Sequence, residues 1–284
     1  MFKNTPKVLA HSSSMDKGNF VTPQYILNRG SNIVNLFRRY CPHRMYPMET
    51  PGTNVGEITC RFHNFKWSAI GEPLNNDKKL GCGSAVVGRS GLVLKGFTEP
   101  DHQWVEDLAN ETGLEYSHSY QGKSTGSWLW MMEVQTDLLH LSLDGIHPTF
   151  SKMIDLSTVT LEQGDGWMLQ RHPNGWWLCI YPYTFIEWSP GCLGINCTIP
   201  VDDKKEYGFE WITQFYYDPD VSQNARKGFE ILEDVFKEDV EAIEKIKSDY
   251  FPLVKTVSYL EDHCVHFGKW VQETLEISNP TNSS

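Results

Sequence analysis

Cys41-Pro42-His43-Arg44 and Cys60-Arg61-Phe62-His63 stand with sixteen residues between His43 and Cys60. Each stretch carries one cysteine and one histidine, so each reads as a turn offering one thiolate and one imidazole. Two thiolates with two imidazoles suit a [2Fe-2S] cluster that takes the cysteines on one iron and the histidines on the other. Neutral imidazoles leave such a cluster less negative than four thiolates would, which raises its potential. A structural zinc site also uses two cysteines and two histidines, but it usually pairs like with like at short spacing. The mixed pairs favour the cluster over zinc and over chance placement.

Outward from these loops, the 284 residues have room for one large or two small domains. A composition 40% hydrophobic and 13% aromatic is ample for a buried core. The net charge of −11, from 36 acidic against 25 basic residues, comes without a basic stripe and gives nucleic-acid binding no electrostatic support. It suits a soluble protein and docking to a basic face of a partner. Seven cysteines are present. With Cys41 and Cys60 assigned to the cluster, Cys82, Cys179, Cys192, Cys197 and Cys264 are expected as buried free thiols. Met1-Phe2-Lys3-Asn4 leads into polar sequence rather than a signal peptide, and no apolar run reaches the length of a membrane span. A reducing cytoplasm is the expected location, with no membrane partner.

The expected fold class is α+β. Residues 1–97 read as a small all-β domain, with strands over Thr22–Leu27 and Ile33–Phe37 and a hairpin at Asn28-Arg29-Gly30-Ser31. A turn-rich segment around Gly81, Gly83, Gly88 and Gly91 follows, and Val93–Lys95 closes the domain. Residues 98–284 read as an antiparallel sheet with a long C-terminal helix. Helix is expected over Gln103–Thr112 and most of Ser127–Leu143. Strands are expected over Trp167–His172, Trp176–Tyr183, Gly194–Pro200 and Tyr207–Tyr217, and a long helix over about Ser222–Tyr250, followed by a short tail.

Metal-ligating residue types recur in this larger half. Asp137 and His140, three apart, share a face if the segment is helical. His147-Pro148 lies seven positions on, about 10 Å along an unbroken helix, so both histidines reach one ion only if the helix breaks. Asp144-Gly145 supplies a break, and Asp144, three before His147, is an alternative ligand in a shifted register. In the long helix, Leu232, Val235, Phe236, Ile243 and Ile246 form one apolar stripe with Asp239 near its centre. Glu233, Asp234, Lys237, Glu238, Glu241, Glu244 and Lys245 project elsewhere. A lone carboxylate in an apolar face must take up a proton or find a cation.

The loops resemble the Rieske domain of ring-hydroxylating and related non-haem iron oxygenases: Cys41-Pro42-His43-Arg44 stands as that family writes it, and Trp67 and Gly71 fall where its second loop ends. Met45 replaces a usual glycine, and Asn64-Phe65 a usual Gly-Trp. The resemblance extends to the D-x-x-H of Asp137 and His140, to His147-Pro148, and to Glu238-Asp239, where the family carries its carboxylate ligand. Six residues separate the histidines here, where the family usually has four. The resemblance implies a Rieske β domain followed by a helix-grip catalytic domain, a [2Fe-2S] cluster on Cys41, His43, Cys60 and His63, and a mononuclear Fe(II) on His140, His147 and Asp239. It implies a head-to-tail homotrimer, in which Asp137 links the iron to a cluster histidine, His43 or His63, of the adjacent subunit. It further implies a flavin- and NAD(P)H-dependent reductase, or a ferredoxin, as electron source. The expected activity is oxygenation: hydroxylation or oxidative demethylation of a small organic substrate with O2.

The aromatic stretch Trp176-Trp177 through Trp188, with Glu187, reads either as sheet core or as the wall of a pocket for a quaternary ammonium group. Its Tyr181-Pro182-Tyr183 and the later Phe215-Tyr216-Tyr217 resemble the choline, betaine and carnitine branch of the family; an aromatic substrate remains an alternative. A Rieske electron-transfer or redox-sensing protein with a vacant second site is the alternative function, favoured by the histidine spacing. A zinc-binding interaction module is a third.

Overall fold

Ile33–Arg38 has the alternation of a strand with one face buried, and it forms the middle of the first sheet. The computed structural model describes residues 5–16, 18–29, 33–48, 57–97, 99–108, 113–142, 146–147, 150, 155–201, 207–246 and 258–275. The chain divides into two compact units. One holds Pro6–His118 and Gln214–Pro219; the other is built from Ser119–Thr213 and the described residues from Asp220 onward.

The first unit contains β1 (Lys7–His11), β2 (Phe20–Val21), β3 (Tyr25–Arg29), β4 (Ile33–Arg38), β5 (Glu57–Cys60), β6 (Phe65–Ser68), β7 (Cys82–Val87) and β8 (Leu92–Lys95). Six of them form an antiparallel sheet in the order β1-β8-β7-β4-β3-β2, while β5 and β6 make a separate hairpin. Helix α1 spans Glu99–Leu108, earlier than the expected Gln103–Thr112; residues 109–112 lie outside the described residues. Buried Glu106 accepts hydrogen bonds from the Ser90 amide and hydroxyl, both at 2.8 Å, and so ties α1 to the turn before β8.

Two loops project from this unit. Tyr40 pairs with Pro47, and the Cys41 amide donates to the Tyr46 carbonyl at 2.9 Å, closing the first loop. Residues 61–64 turn between β5 and β6, anchored where the Trp67 indole donates to the Lys78 carbonyl at 2.6 Å. Behind them, Ile26, Phe37, Met48, Ile58 and Trp67 are fully buried with Cys41 and Cys60. Gly71 lies against this core: its φ is +81°, and a Cβ there would meet Phe37 Cε1 at 2.8 Å.

The second unit is organised on a seven-stranded antiparallel sheet. Its strands are β9 (Glu115–Ser127), β10 (Thr160–Gly164), β11 (Trp167–His172), β12 (Gly175–Ile180), β13 (Thr184–Ser189), β14 (Cys192–Pro200) and β15 (Tyr207–Tyr217), in the order β10-β11-β12-β13-β14-β15-β9. Every residue of β14 is buried, which explains its unbroken Cys-Leu-Gly-Ile-Asn-Cys-Thr-Ile run. The helices are α2 (Trp128–Val134), α3 (Gln223–Lys245) and α4 (Asp262–Leu275), and α2 and α3 pack on β14. Ser222 caps α3, its hydroxyl accepting from the Ala225 amide at 3.2 Å. Phe229, Phe236 and Ile243 of α3 are buried, each contributing about 2 kcal/mol of apolar burial.

Three expectations need correction. The segment Ser127–Leu143 is not mostly helix: α2 ends at Val134, and His140–Ser142 is a single 3-10 turn. Polar side chains stop it, because the Thr136 hydroxyl takes the Glu133 carbonyl at 2.7 Å and Asp137 Oδ1 accepts from the Leu139 amide at 2.7 Å. The long helix stops at Lys245, and residues 247–257 lie outside the described residues. The region read as a short tail contains α4. Among the described residues no helix is long and apolar enough to cross a membrane.

The non-glycine residues with positive φ among those described are Met45, at +53°, and Asn64, at +55°. These are the two places where the sequence departs from the family's glycines. Asn tolerates the left-handed region, whereas Met there costs about 1–2 kcal/mol. Met45 is 64% exposed, so its side chain returns little burial. Met45→Gly should therefore raise stability by about 0.5–1 kcal/mol, after the extra chain entropy of glycine is subtracted. Urea unfolding should show a higher midpoint at unchanged slope.

Candidate metal centres

The first candidate centre is in the two projecting loops. Cys41 and Cys60 are 2% and 1% exposed, while the imidazoles lie toward the surface. His43 Nδ1 and His63 Nδ1 are 3.3 Å apart, with ring centroids at 4.8 Å. Burial pushes the Cys41 thiol up, and the neighbouring Cys60 sulfur adds to the shift. The loops thus present a buried thiol pair beneath a surface imidazole pair whose Nδ1 atoms converge. This donor set and arrangement fit a [2Fe-2S] cluster with cysteines inside and histidines outside.

The second candidate centre brings His140, His147 and Asp239 together, with their ligand atoms within 4.8 Å of one another. His140 comes from the 3-10 turn, His147 from the connection beyond it, and Asp239 from α3. Because the helix has ended before Asp137, the seven-residue separation of the histidines is no obstacle. Asp144, Gly145 and Pro148 lie outside the described residues.

Asp239 is 6% exposed, and its Oδ1 lies 2.9 Å from His147 Nε2 and 3.5 Å from His140 Nε2. His147, fully buried, also meets Glu238 Oε2 through Nδ1 at 2.8 Å. Glu238 was expected to project away from the stripe; instead its long side chain reaches round the helix to this histidine. His140 Nδ1 lies 3.6 Å from Asp137 Oδ2, and neither of its buried ring nitrogens has a hydrogen-bond partner among the described residues.

This constellation calls for a cation. Both nitrogens of His147 face carboxylate oxygens, yet a neutral imidazole has only one N–H. Either His147 is an imidazolium or a positive ion stands between Nε2 and Asp239. Burial would lower the affinity of His140 for a proton, but the Asp137 and Asp239 carboxylates outweigh it and push its pKa up to about 9. His147 is raised in the same way, against burial, by Asp239 and Glu238. Burial would raise Asp239, but the two histidines hold it below the usual carboxylate range. Protons on the imidazoles meet this demand when no ion is bound; a divalent ion on two imidazoles and one carboxylate meets it and keeps open coordination positions. The residues fit a mononuclear iron.

A pocket opens over these groups, lined by His140 and Asp239, by the aromatic side chains of Tyr120, Phe150, Trp177, Phe185 and Phe236, and by Glu187. Its free volume is only about 50 Å³. The aromatic stretch 176–188 is divided by strand alternation: Trp177, Phe185 and Glu187 line the pocket, while Trp176 and Trp188 stack with centroids 5.9 Å apart. Burial and the charge of Asp239 push the Glu187 carboxyl up to about 8. Asn196, which donates to Thr213 Oγ1 at 2.7 Å, adds a polar patch that no motif or periodicity singled out.

Residues 5–82 match the family described as the Rieske [2Fe-2S] domain. Among solved structures, the chain is similar to the quaternary ammonium Rieske monooxygenase CntA (TM-score 0.69, 16% identity, covering 96% of this chain and 89% of that one). It is also similar to dicamba monooxygenase (TM-score 0.53, 12% identity, 96% and 98% covered). A third likeness is to NdmA of Pseudomonas putida CBB5, in complex with theobromine (TM-score 0.53, 17% identity, 96% and 90% covered). No curated protein sequence matches the chain. The match over the loops overturns the zinc-module alternative, and the convergence of three ligand groups under a pocket does not fit a carrier with a degenerate second site. The chain carries a Rieske [2Fe-2S] domain, and along nearly its whole length it has the fold of the Rieske oxygenases.

Proposed function

We propose that the protein is the terminal oxygenase of a Rieske non-haem iron system, with the cluster domain in residues 1–97 and the iron domain in 98–284. It would use O2 and reductase-supplied electrons, passed directly or through a ferredoxin, to hydroxylate or oxidatively demethylate a small organic substrate. The observation that carries this reading is the meeting of His140, His147 and Asp239 beneath an aromatic pocket, in a chain that also holds the Cys41/His43/Cys60/His63 loops. When bound, the cluster supplies single electrons and the ferrous ion supplies open positions at which O2 and substrate meet.

The chain's own residues do the positioning. Glu238 would hold a proton at His147 Nδ1 and Asp137 one at His140 Nδ1, which would leave both Nε2 atoms free for the ion that His140, His147 and Asp239 would hold. Asp239 stays ionised and supplies the single carboxylate. Leu141, Leu232, Val235 and Phe236 line the pocket and exclude water from it. By the resemblance, Asp137 also joins the iron to the cluster of an adjacent subunit, which makes a homotrimer the working assembly. The buried free thiols Cys179, Cys192, Cys197 and Cys264 suit a reducing cytoplasm.

For substrate we favour a small quaternary ammonium compound over a neutral aromatic. Aromatic faces and one carboxylate, Glu187, border the pocket, and among the described residues no lysine or arginine lines it. The narrow free space demands a compact substrate or displacement of the lining side chains.

Asp239→Ala should lose the mononuclear iron and keep the visible spectrum of the cluster; iron per chain falls from about three to about two. Unchanged iron content removes Asp239 from the centre. Asp137→Asn keeps the size of the side chain and the Oδ1 that caps the 3-10 turn. It should retain both metals yet lower turnover about 100-fold or more, and a wild-type rate would exclude Asp137 from the path. Above about pH 8, where Glu187 is ionised, Glu187→Gln should raise KM for a trimethylammonium substrate about 10-fold or more while leaving a neutral tert-butyl isostere unaffected. Equal losses for both compounds would show that Glu187 shapes the pocket without recognising charge.

A further inference from the structure

The acidic balance of the whole chain conceals a reversal at the candidate cluster. Between positions 38 and 95 there are nine Lys and Arg residues against four Asp and Glu, whereas the rest of the chain has sixteen against thirty-two. Two of those four acids are already paired, Glu57 with Lys66 and Glu72 with Lys79. Among the described residues, Arg38 and Lys95 form no ion pair.

Both border a groove of about 400 Å³ that crosses β8, β7, β4 and β3 and is lined also by Tyr25 and Tyr40. Gly81 and Gly83 give it an open floor, since a Cβ at either would meet nothing within 4 Å. Pro42 and Met45 of the first loop, with Leu36 and Leu80, complete its lining. Pro42 lies between Cys41 and His43 in sequence, so a molecule seated in the groove touches the loop that carries two of the four candidate cluster ligands.

We infer that this groove is the docking site of an acidic one-electron donor protein, held by Arg38 and Lys95 and seated against Tyr40, Pro42 and Met45. Unpaired cations rimming an open, partly apolar hollow suit a carboxylate-rich surface, and they raise the encounter rate with it. The donor gives up one electron to the group held by Cys41, His43, Cys60 and His63, and no bond or proton moves. A donor of the opposite charge would be repelled. The inference rests on the Rieske reading above, and it identifies the face and the charge of the partner.

The test uses the full-length, cluster-loaded protein and an acidic [2Fe-2S] ferredoxin as probe. Binding is followed by calorimetric titration, and bleaching of the cluster by reduced ferredoxin is followed by stopped flow, from about 20 to about 200 mM salt. The double variant Arg38→Glu/Lys95→Glu should weaken binding and slow reduction about 10–1000-fold at low salt, the gap closing as salt rises. Lys269→Glu, the same charge reversal on exposed α4, should behave as wild type, and dithionite should bleach all three proteins equally. Dithionite bleaching with unaltered ferredoxin binding in the double variant would overturn the inference. So would a change of mass on size-exclusion chromatography without loss of ferredoxin binding, which would make the groove a contact between copies. Absence of any dithionite-reducible cluster would bring down the Rieske reading and this inference with it.

Discussion

A carboxylate held inside an apolar helix face is the constraint on which the second unit depends. Left bare, ionised Asp239 would be too costly to bury, and left protonated it would waste the two imidazoles aimed at it. The surroundings compound the demand. Asp137, Glu238 and Asp239 surround His140 and His147, and these carboxylates hold both imidazoles above their ordinary pKa. With both imidazoles neutral the group carries three negative charges, and either two protons or one dication brings it close to balance. The helix, the 3-10 turn and the connection to His147 therefore converge on a position that suits a metal ion.

Much of this was legible in the sequence because the relevant signals are local. The cluster ligands are set by two turns, so their spacing survives any rearrangement elsewhere. Asp239 could be found because 3.6-residue periodicity places it among Val235, Phe236 and Ile243. Glu238 could not be found by the same rule, since adjacent helix positions diverge by about 100° and the wheel sends it outward. Its reach to His147 depends on a flexible side chain and on where a distant loop returns. The false helix over Ser127–Leu143 arose from an apolar run with no glycine or proline to stop it. Thr136 and Asp137 stop it instead through side-chain hydrogen bonds, a competition that composition alone does not reveal. Strand β9 escaped notice because its residues are mostly polar and partly exposed; β13 was submerged in an aromatic stretch that reads equally as core.

Met45 and Asn64 separate what a motif specifies from what a backbone requires. The resemblance expects glycine at both places, and the backbone is left-handed at both. The loop conformation thus persists after its easiest residue has gone, because the tethers around it over-determine the path: Tyr40 to Pro47, Cys41 to Tyr46, and Trp67 to Lys78. Departures at such positions change the stability of a loop by one or two kcal/mol without moving the ligands it carries.

Charge is sorted along the chain in a way that suits two different reactants. The pocket presents aromatic faces and the Glu187 carboxyl, which a bound cation would help to ionise, an environment that suits a small cation. The groove beside the first loop presents Arg38 and Lys95, which do the reverse. A protein of uniform negative charge would hold its electron donor off the very loops that must receive the electron, and a uniformly basic one would repel a cationic substrate from the pocket. Placing the basic excess within residues 38–95 and the acidic excess outside them lets each reactant be drawn to its own face. Neither then competes for the surface of the other, and both encounters weaken as salt screens them.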